Sequence, residues 1–309
     1  MTGIIGSGIA RHEDAPSPLG PEIIASRVGQ CPSLPSLNSN ARDMIQLLNA
    51  GQAYTQEICS IVERDPSLAA RVLKIVNSPY FGITYKVETI EQAVFYVGTE
   101  QIRHLAMATP VIEDFEKLVG EIRFAWRGLW QHSIAVAMLT REILSSLDGP
   151  TEESDYVSGL VHDVGKIVMA AAFPKHFNAV QSRLAESPEF LHVVEEELLG
   201  VNHMHLGGLY LKQRNLPTAL IEAARFHTVP EEARECPHVA AAVQIANLIA
   251  RKHELGSSGE TRPVSLEKIL SASGWTILAP SLSSEQRAAA YSNWQQFIQT
   301  IPNILSSIV

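Results

Sequence analysis

An adjacent His162-Asp163 pair stands in an otherwise apolar run, Ser158-Gly-Leu-Val-His-Asp-Val-Gly-Lys-Ile-Val168. The run reads as a helix interior, where a carboxylate without a partner is costly. A cation is one partner, and imidazole nitrogen beside carboxylate oxygen suits a divalent transition metal such as Fe, Mn or Zn. Lys166 follows one turn later, where its ammonium can pair with Asp163 or meet a phosphate. Gly159 and Gly165 each cost about 1 kcal/mol relative to Ala inside a helix. Their presence implies close approach of another backbone or a ligand. For an isolated His-Asp pair, hydrogen bonds to neighbouring helices would be the better explanation.

This pair has company. His132 lies upstream on a helix with Ile134, Ala135 and Met138, and His203, His205, His227 and Asn247 follow downstream. On a helix His205 points away from His203, which reads as a structural role. His12, His104, His176, His192 and His253 read as surface or capping residues. Neither GxGxxG nor a Walker sequence occurs, and no Ser or Cys carries a nucleophile signature. The three cysteines, Cys31, Cys59 and Cys236, are far apart and form no CxxC pair. That excludes a cysteine zinc cluster and fits a reducing compartment.

The elements that must position these residues are helices. Asp65 before Pro66 marks a helix start carrying Leu68, Val72, Leu73 and Val76, and Asn77-Ser78-Pro79 ends it. Thr89 with Gln92 is a capping box, Gly98 a C-terminal cap, and Thr99 can open the next helix with Ile102, Leu105 and Ala106 on one face. No stretch shows period-two alternation bounded by hairpin turns, and Thr84 to Val87 is the nearest case. Charged residues from Asp114 to Arg123 suggest a boundary, and the Gly- and Ser-containing stretch Glu254 to Pro263 a second soft spot.

The chain has 309 residues, 46% apolar and 18% charged, which is ample for a core. A net charge of -9 without a basic stripe disfavours direct nucleic-acid binding and an anionic membrane surface. The N-terminus lacks the positive start of a signal peptide, and the uncharged apolar stretch Cys236 to Ala250 is too short and polar to span a bilayer. The expected localisation is cytoplasmic, with no membrane and no direct nucleic-acid partner.

His132, then His162-Asp163 with Gly165-Lys166, resembles the HD phosphohydrolase superfamily pattern of a histidine, a His-Asp pair and a late aspartate. Asp65-Pro-Ser-Leu-Ala-Ala-Arg-Val-Leu-Lys-Ile-Val-Asn-Ser78 with Tyr80-Phe-Gly82 narrows the likeness to the HDOD domain. Thr89-Ile-Glu-Gln-Ala-Val, Val97-Gly98, Ile102-Arg-His-Leu105 and Leu216-Pro217 through His227 fit as well, so the resemblance runs from about Gln30 to Arg251. In the N-terminal block, capping and turn chemistry alone explain Asp65, Asn77, Ser78 and Gly82.

The resemblance implies an all-α, two-lobed helical bundle with an HD-domain-like C-terminal lobe. The expected division is a tail over 1–28, an N-terminal helical lobe over 29–118, the HD-like lobe over 119–255 and a helical extension over 256–309 packed on it. It implies metal-site positions at His132, His162, Asp163, His203, His227 and Asn247. Lys166 would contact a ligand, or act catalytically if the site is active.

Departures weaken the catalytic pattern. Asn247 stands where the late aspartate is expected, Phe226-His227 replaces a His-His pair, and Asn202-His203 replaces Asp-His. No Gly-Tyr-Pro follows His227. Asparagine offers one neutral oxygen and cannot bridge two cations well. The expectation is therefore a regulatory signalling protein that binds a partner protein or a nucleotide-like ligand at a degenerate site. Any Fe, Mn or Zn would be held at low occupancy or absent. The alternative is a metal-dependent phosphohydrolase acting on cyclic dinucleotides or nucleotides.

Overall fold

The computed structural model describes residues 16–31, 55–64, 66–77, 81–99, 124–147, 155–187 and 189–308, with 102, 105 and 106 besides. Among them every regular element is helical and no strand occurs. α1 spans Pro21–Gln30, α2 Thr55–Glu63, α3 Pro66–Val76 and α4 Ile90–Val97. Next come α5 Trp126–Ser146, α6 Asp155–Val161, α7 Val164–Ala172, α8 Pro174–Glu186 and α9 Leu191–Leu199. Then follow α10 His203–Gln213, α11 Thr218–Phe226 and α12 Pro237–Lys252. α13 Leu266–Leu270, α14 Gly274–Leu278 and α15 Ser284–Ile308 complete the order.

Local chemistry sets several ends. Thr89 Oγ1 accepts from the Gln92 amide at 3.2 Å, while Gln92 Oε1 accepts from the Glu88 amide at 2.8 Å, so α4 opens with reciprocal bonds. It stops at Gly98, whose φ of 97° is left-handed. Asn77 donates to the Leu73 and Val87 carbonyls, and its Oδ1 accepts from the Val87 amide at 2.7 Å. This residue is a turn clamp, as capping and turn chemistry would have it. Asp65 and Ser78 to Tyr80 lie outside the described residues, as do His12 and His104.

α2, α3 and α4 pack on one another, burying Ile58, Val62, Val72, Val76, Ile90 and Ala93. α5 is the axis of the rest. It is buried almost all round from His132 to Thr140, and it packs against α6, α12 and α15. α10 packs between α7 and α11. After α12 the chain returns: Trp294 of α15 stacks on Trp275 of α14 and donates from Nε1 to Ser146 Oγ at the end of α5. The boundary expected at 118 falls outside the described residues.

Two segments differ from the reading by composition. Residues 21–28, expected as tail, belong to α1. Pro21 at its first position fixes a helical φ. Ile24 and Val28 are buried, and the helix packs on α10 and α7. The second is Glu254 to Pro263, which is a tightly seated strap. Ser257 donates its amide to the Gly128 carbonyl at 2.8 Å. Gly256, at φ 75°, lies so close to α5 that a Cβ there would sit 2.2 Å from the His132 backbone nitrogen.

Candidate functional site

The His162-Asp163 pair sits at the break between α6 and α7, not inside one helix. Asp163 occupies the position before α7, but its carboxylate caps no amide. It points instead into a ring of imidazoles. His162 Nε2 is 3.3 Å from Asp163 Oδ2, and His132 Nε2 of α5 is 3.9 Å from the same oxygen. His203 Nε2, opening α10, is 3.5 Å from Asp163 Oδ1, and His227 Nε2, ending α11, is 4.0 Å from it. All five side chains are buried.

Glycine permits this closeness. A Cβ on Gly159 would sit 2.6 Å from Ala137 Cα, so α6 lies directly on α5. A Cβ on Gly165 would sit 1.7 Å from the His203 carbonyl oxygen, so α7 and α10 touch backbone to backbone. The close approach that the two glycines imply is therefore of neighbouring helices.

Three rings are oriented from behind. His162 Nδ1 donates to the Gly159 carbonyl at 2.7 Å, and His227 Nδ1 to the Ala224 carbonyl at 3.1 Å. His203 Nδ1 donates to Glu195 Oε2 at 2.6 Å, and the same oxygen accepts the His203 amide at 2.9 Å. With Nδ1 turned to these acceptors, the Nε2 atoms of all three rings face Asp163. Burial, followed by the neighbouring His162, holds His227 well below its ordinary value. Burial also lowers His132 to about 3, with His162 adding to the effect. Both rings are neutral near pH 7. Burial alone would raise the Asp163 carboxyl, but the adjacent His162 and Lys166 outweigh it and hold that group well below the usual carboxylate range.

The remaining contacts are unequal. Lys166 Nζ donates to Asp163 Oδ2 at 2.6 Å and to the Ser258 carbonyl of the strap at 2.7 Å. His132 Nε2 lies 3.1 Å from Asn247 Oδ1, so that ring nitrogen is engaged by the amide. His162 Nε2 and Asp163 Oδ1 are buried and have no hydrogen-bond partner. Unmatched buried polar atoms are rare and call for an ion or water. The ligand atoms of His132, His162 and Asp163 lie within 4.8 Å of one another, as do those of Asp163, His203 and His227. The donor set of imidazoles and one carboxylate fits a divalent transition metal. A cavity of about 480 Å³ opens over the cluster, lined by Lys166, His203, His227, Asn247, Arg251 and Ser258 among others.

Sequence reasoning passed over Glu195, Arg251, Ser258 and Glu260. Only a buried carboxylate eight residues before His203 hints at the first, and no local pattern marks the others. Away from the cluster, His176 is buried, with Nε2 3.1 Å from the Ser17 carbonyl oxygen, and His253 meets the Tyr291 hydroxyl at 2.8 Å. His205 is half-buried beside Arg225 in a separate cavity of about 380 Å³.

Residues 34–230 match the HDOD domain family. An uncharacterised protein of Treponema pallidum (strain Nichols) is 24% identical over 229 residues, 74% of this chain and 44% of that protein. The chain thus spans less than half the length of that curated relative. The crystal structure of an HDOD domain protein of unknown function from Geobacter sulfurreducens superposes with a TM-score of 0.71 at 21% identity, covering 94% of this chain and 92% of that one. A Shewanella amazonensis protein that carries a provisional phosphohydrolase name gives a TM-score of 0.71 at 20% identity, covering 93% and 98%. At these identities the likeness establishes the all-helical fold. No single helix among the described residues is long and apolar enough to cross a membrane.

Proposed function

The chain belongs to the HDOD domain family, and we propose that it is a regulatory module holding at most one divalent cation, with no appreciable hydrolase activity. The observation that carries this reading is the unequal environment of Asp163. One oxygen is already neutralised by the Lys166 ammonium, on the side where the amide of Asn247 engages His132. The other oxygen, Oδ1, has no hydrogen-bond partner and faces His203 and His227. Those three residues, with His162 beside them, would hold the cation. A divalent ion there would supply Lewis acidity and activate a bound water. Hydrolysis by a pair of cations needs anionic charge on both sides of the bridge, and Asn247 brings none. Glu195 orients His203 for its role, and Lys166 fixes Asp163.

The cavity above the cluster supports binding of a nucleotide-like ligand, or of a partner protein whose side chain enters it. A metal-dependent phosphohydrolase is the second reading, favoured by Lys166 beside the cluster and by the provisional name of the Shewanella relative. Metal content of the purified protein, and turnover of cyclic dinucleotides and nucleoside phosphates with Mn or Fe added, decide between them. The expected result is up to one cation per chain and no turnover, with Asn247→Asp raising the cation count towards two. Robust turnover that vanishes when His162 and Asp163 are both changed to Ala would replace the regulatory reading with the hydrolase.

A further inference from the structure

The two least exposed cationic side chains lining the cavity, Lys166 and Arg251, share an unusual feature. Each donates to a main-chain carbonyl of the same short segment. Lys166 Nζ reaches the Ser258 oxygen at 2.7 Å, and Arg251 Nη2 the Arg262 oxygen at 3.0 Å. The segment is otherwise held by the Ser257 amide on Gly128, the buried Leu255 and Ser258, Glu260 Oε2 accepting from the Leu191 amide at 3.2 Å, and the Arg262 guanidinium 4.0 Å over the Phe190 ring. Its course depends on left-handed backbone at Glu254, Gly256 and Gly259. The seating is also incomplete, since Arg251 Nε and Glu260 Oε1 are buried without hydrogen-bond partners.

The carbonyls accept charge-assisted bonds but bring no negative charge to the ammonium or the guanidinium, whereas phosphate oxygens would add Coulombic attraction. Lys166 is buried and divides its bonds between Asp163 and Ser258, so an anion in the place of the Ser258 carbonyl would meet the ammonium directly. We propose that the segment 254–262 is an internal occupant of an anion seat formed by Lys166 and Arg251, and that a phosphate-bearing ligand displaces it. This rests on the reading of the cavity as a ligand site and adds its regulation. The strap links α12 to α13 and presses on α5 at His132, so its release would be sensed by the C-terminal helices and by the cluster together.

The test is hydrogen exchange of the full chain with inorganic phosphate, against chloride at equal ionic strength. Amides of 254–262 are expected to exchange about tenfold faster with saturating phosphate. Glu260→Ala, which removes the Leu191 attachment and a carboxylate beside Arg251, should bind phosphate several-fold more tightly. Gly256→Ala should do the same if it folds, and Lys166→Met should remove both effects. Phosphate binding with unchanged or slower exchange in 254–262 would overturn the displacement. Absence of phosphate binding in both the parent and Glu260→Ala would overturn the anion seat. Cation uptake measured on the same samples reports separately on the regulatory reading, so either reading can fail without the other.

Discussion

The two sides of Asp163 face different company. On the Oδ2 side the protein supplies its own cation, Lys166, and ties His132 to Asn247. On the Oδ1 side two imidazoles are oriented from behind, by Glu195 and by the end of α11, and their inward nitrogens meet only a carboxylate. One side is complete in itself and the other is prepared for something from outside. The contrast places Lys166 and Asn247 on one side of a single carboxylate and two oriented imidazoles on the other.

The largest test strikes the residue both sides share. Asp163→Ala should abolish cation uptake and, by leaving the Lys166 ammonium buried without its counter-charge, cost about 3–5 kcal/mol in urea unfolding. Adding Lys166→Met should recover much of the stability but none of the uptake. A cost below about 1 kcal/mol would mean that Lys166 does not neutralise Asp163.

Next come the glycines, which separate the sides. Gly165→Ala forces α7 from α10 and should cost about 1–3 kcal/mol or more, with loss of cation affinity at His203. Gly159→Ala strains α6 against α5 by a similar amount, but should leave cation affinity the less changed of the two. Equal loss of uptake in both variants would erase the distinction. Glu195→Gln is subtler. It should weaken Mn binding by about 10–100-fold in calorimetric titration, the usual size for a group that orients a metal-bound histidine.

The smallest effect per step is with pH. The His132 pKa is depressed to about 3 in the folded chain, and that of His227 is also depressed. Their stabilising contribution is therefore complete above an unfolded value of about 6.5 and is lost as pH falls from there towards the folded value. Each group adds a slope of about 1.4 kcal/mol per pH unit. His132→Phe should remove one such slope from the metal-free protein. An unchanged slope would show that His132 is not held neutral.

The sequence carried the order of the histidines, the His-Asp pair, the capping box at Thr89 and the backbone contacts implied by Gly159 and Gly165. These are local signals, or family order, and survive without knowledge of the fold. The helix break at His162-Asp163 was hidden because apolar residues on both sides keep helical spacing across it. The strap was hidden because Gly256, Ser257 and Gly259 have the composition of a linker whether or not they are pinned. Nothing near Lys166 announces a partner 92 residues away at Ser258. α1 was missed because its Pro and Gly flanks resemble a tail, although Pro21 is well suited to a first turn.

The docking of α1 has a consequence for how the chain is made. Its seat on α10 includes a bond from Gln213 to the Ala25 carbonyl, 188 residues apart. At synthesis rates of about 5–20 residues per second, roughly 10–40 s pass between the emergence of Ile24 and Val28 and that of the surface that covers them. During vectorial folding on the ribosome those side chains stay uncovered, within reach of holdase chaperones. The helix translated first among those described is thus one of the last to find its place.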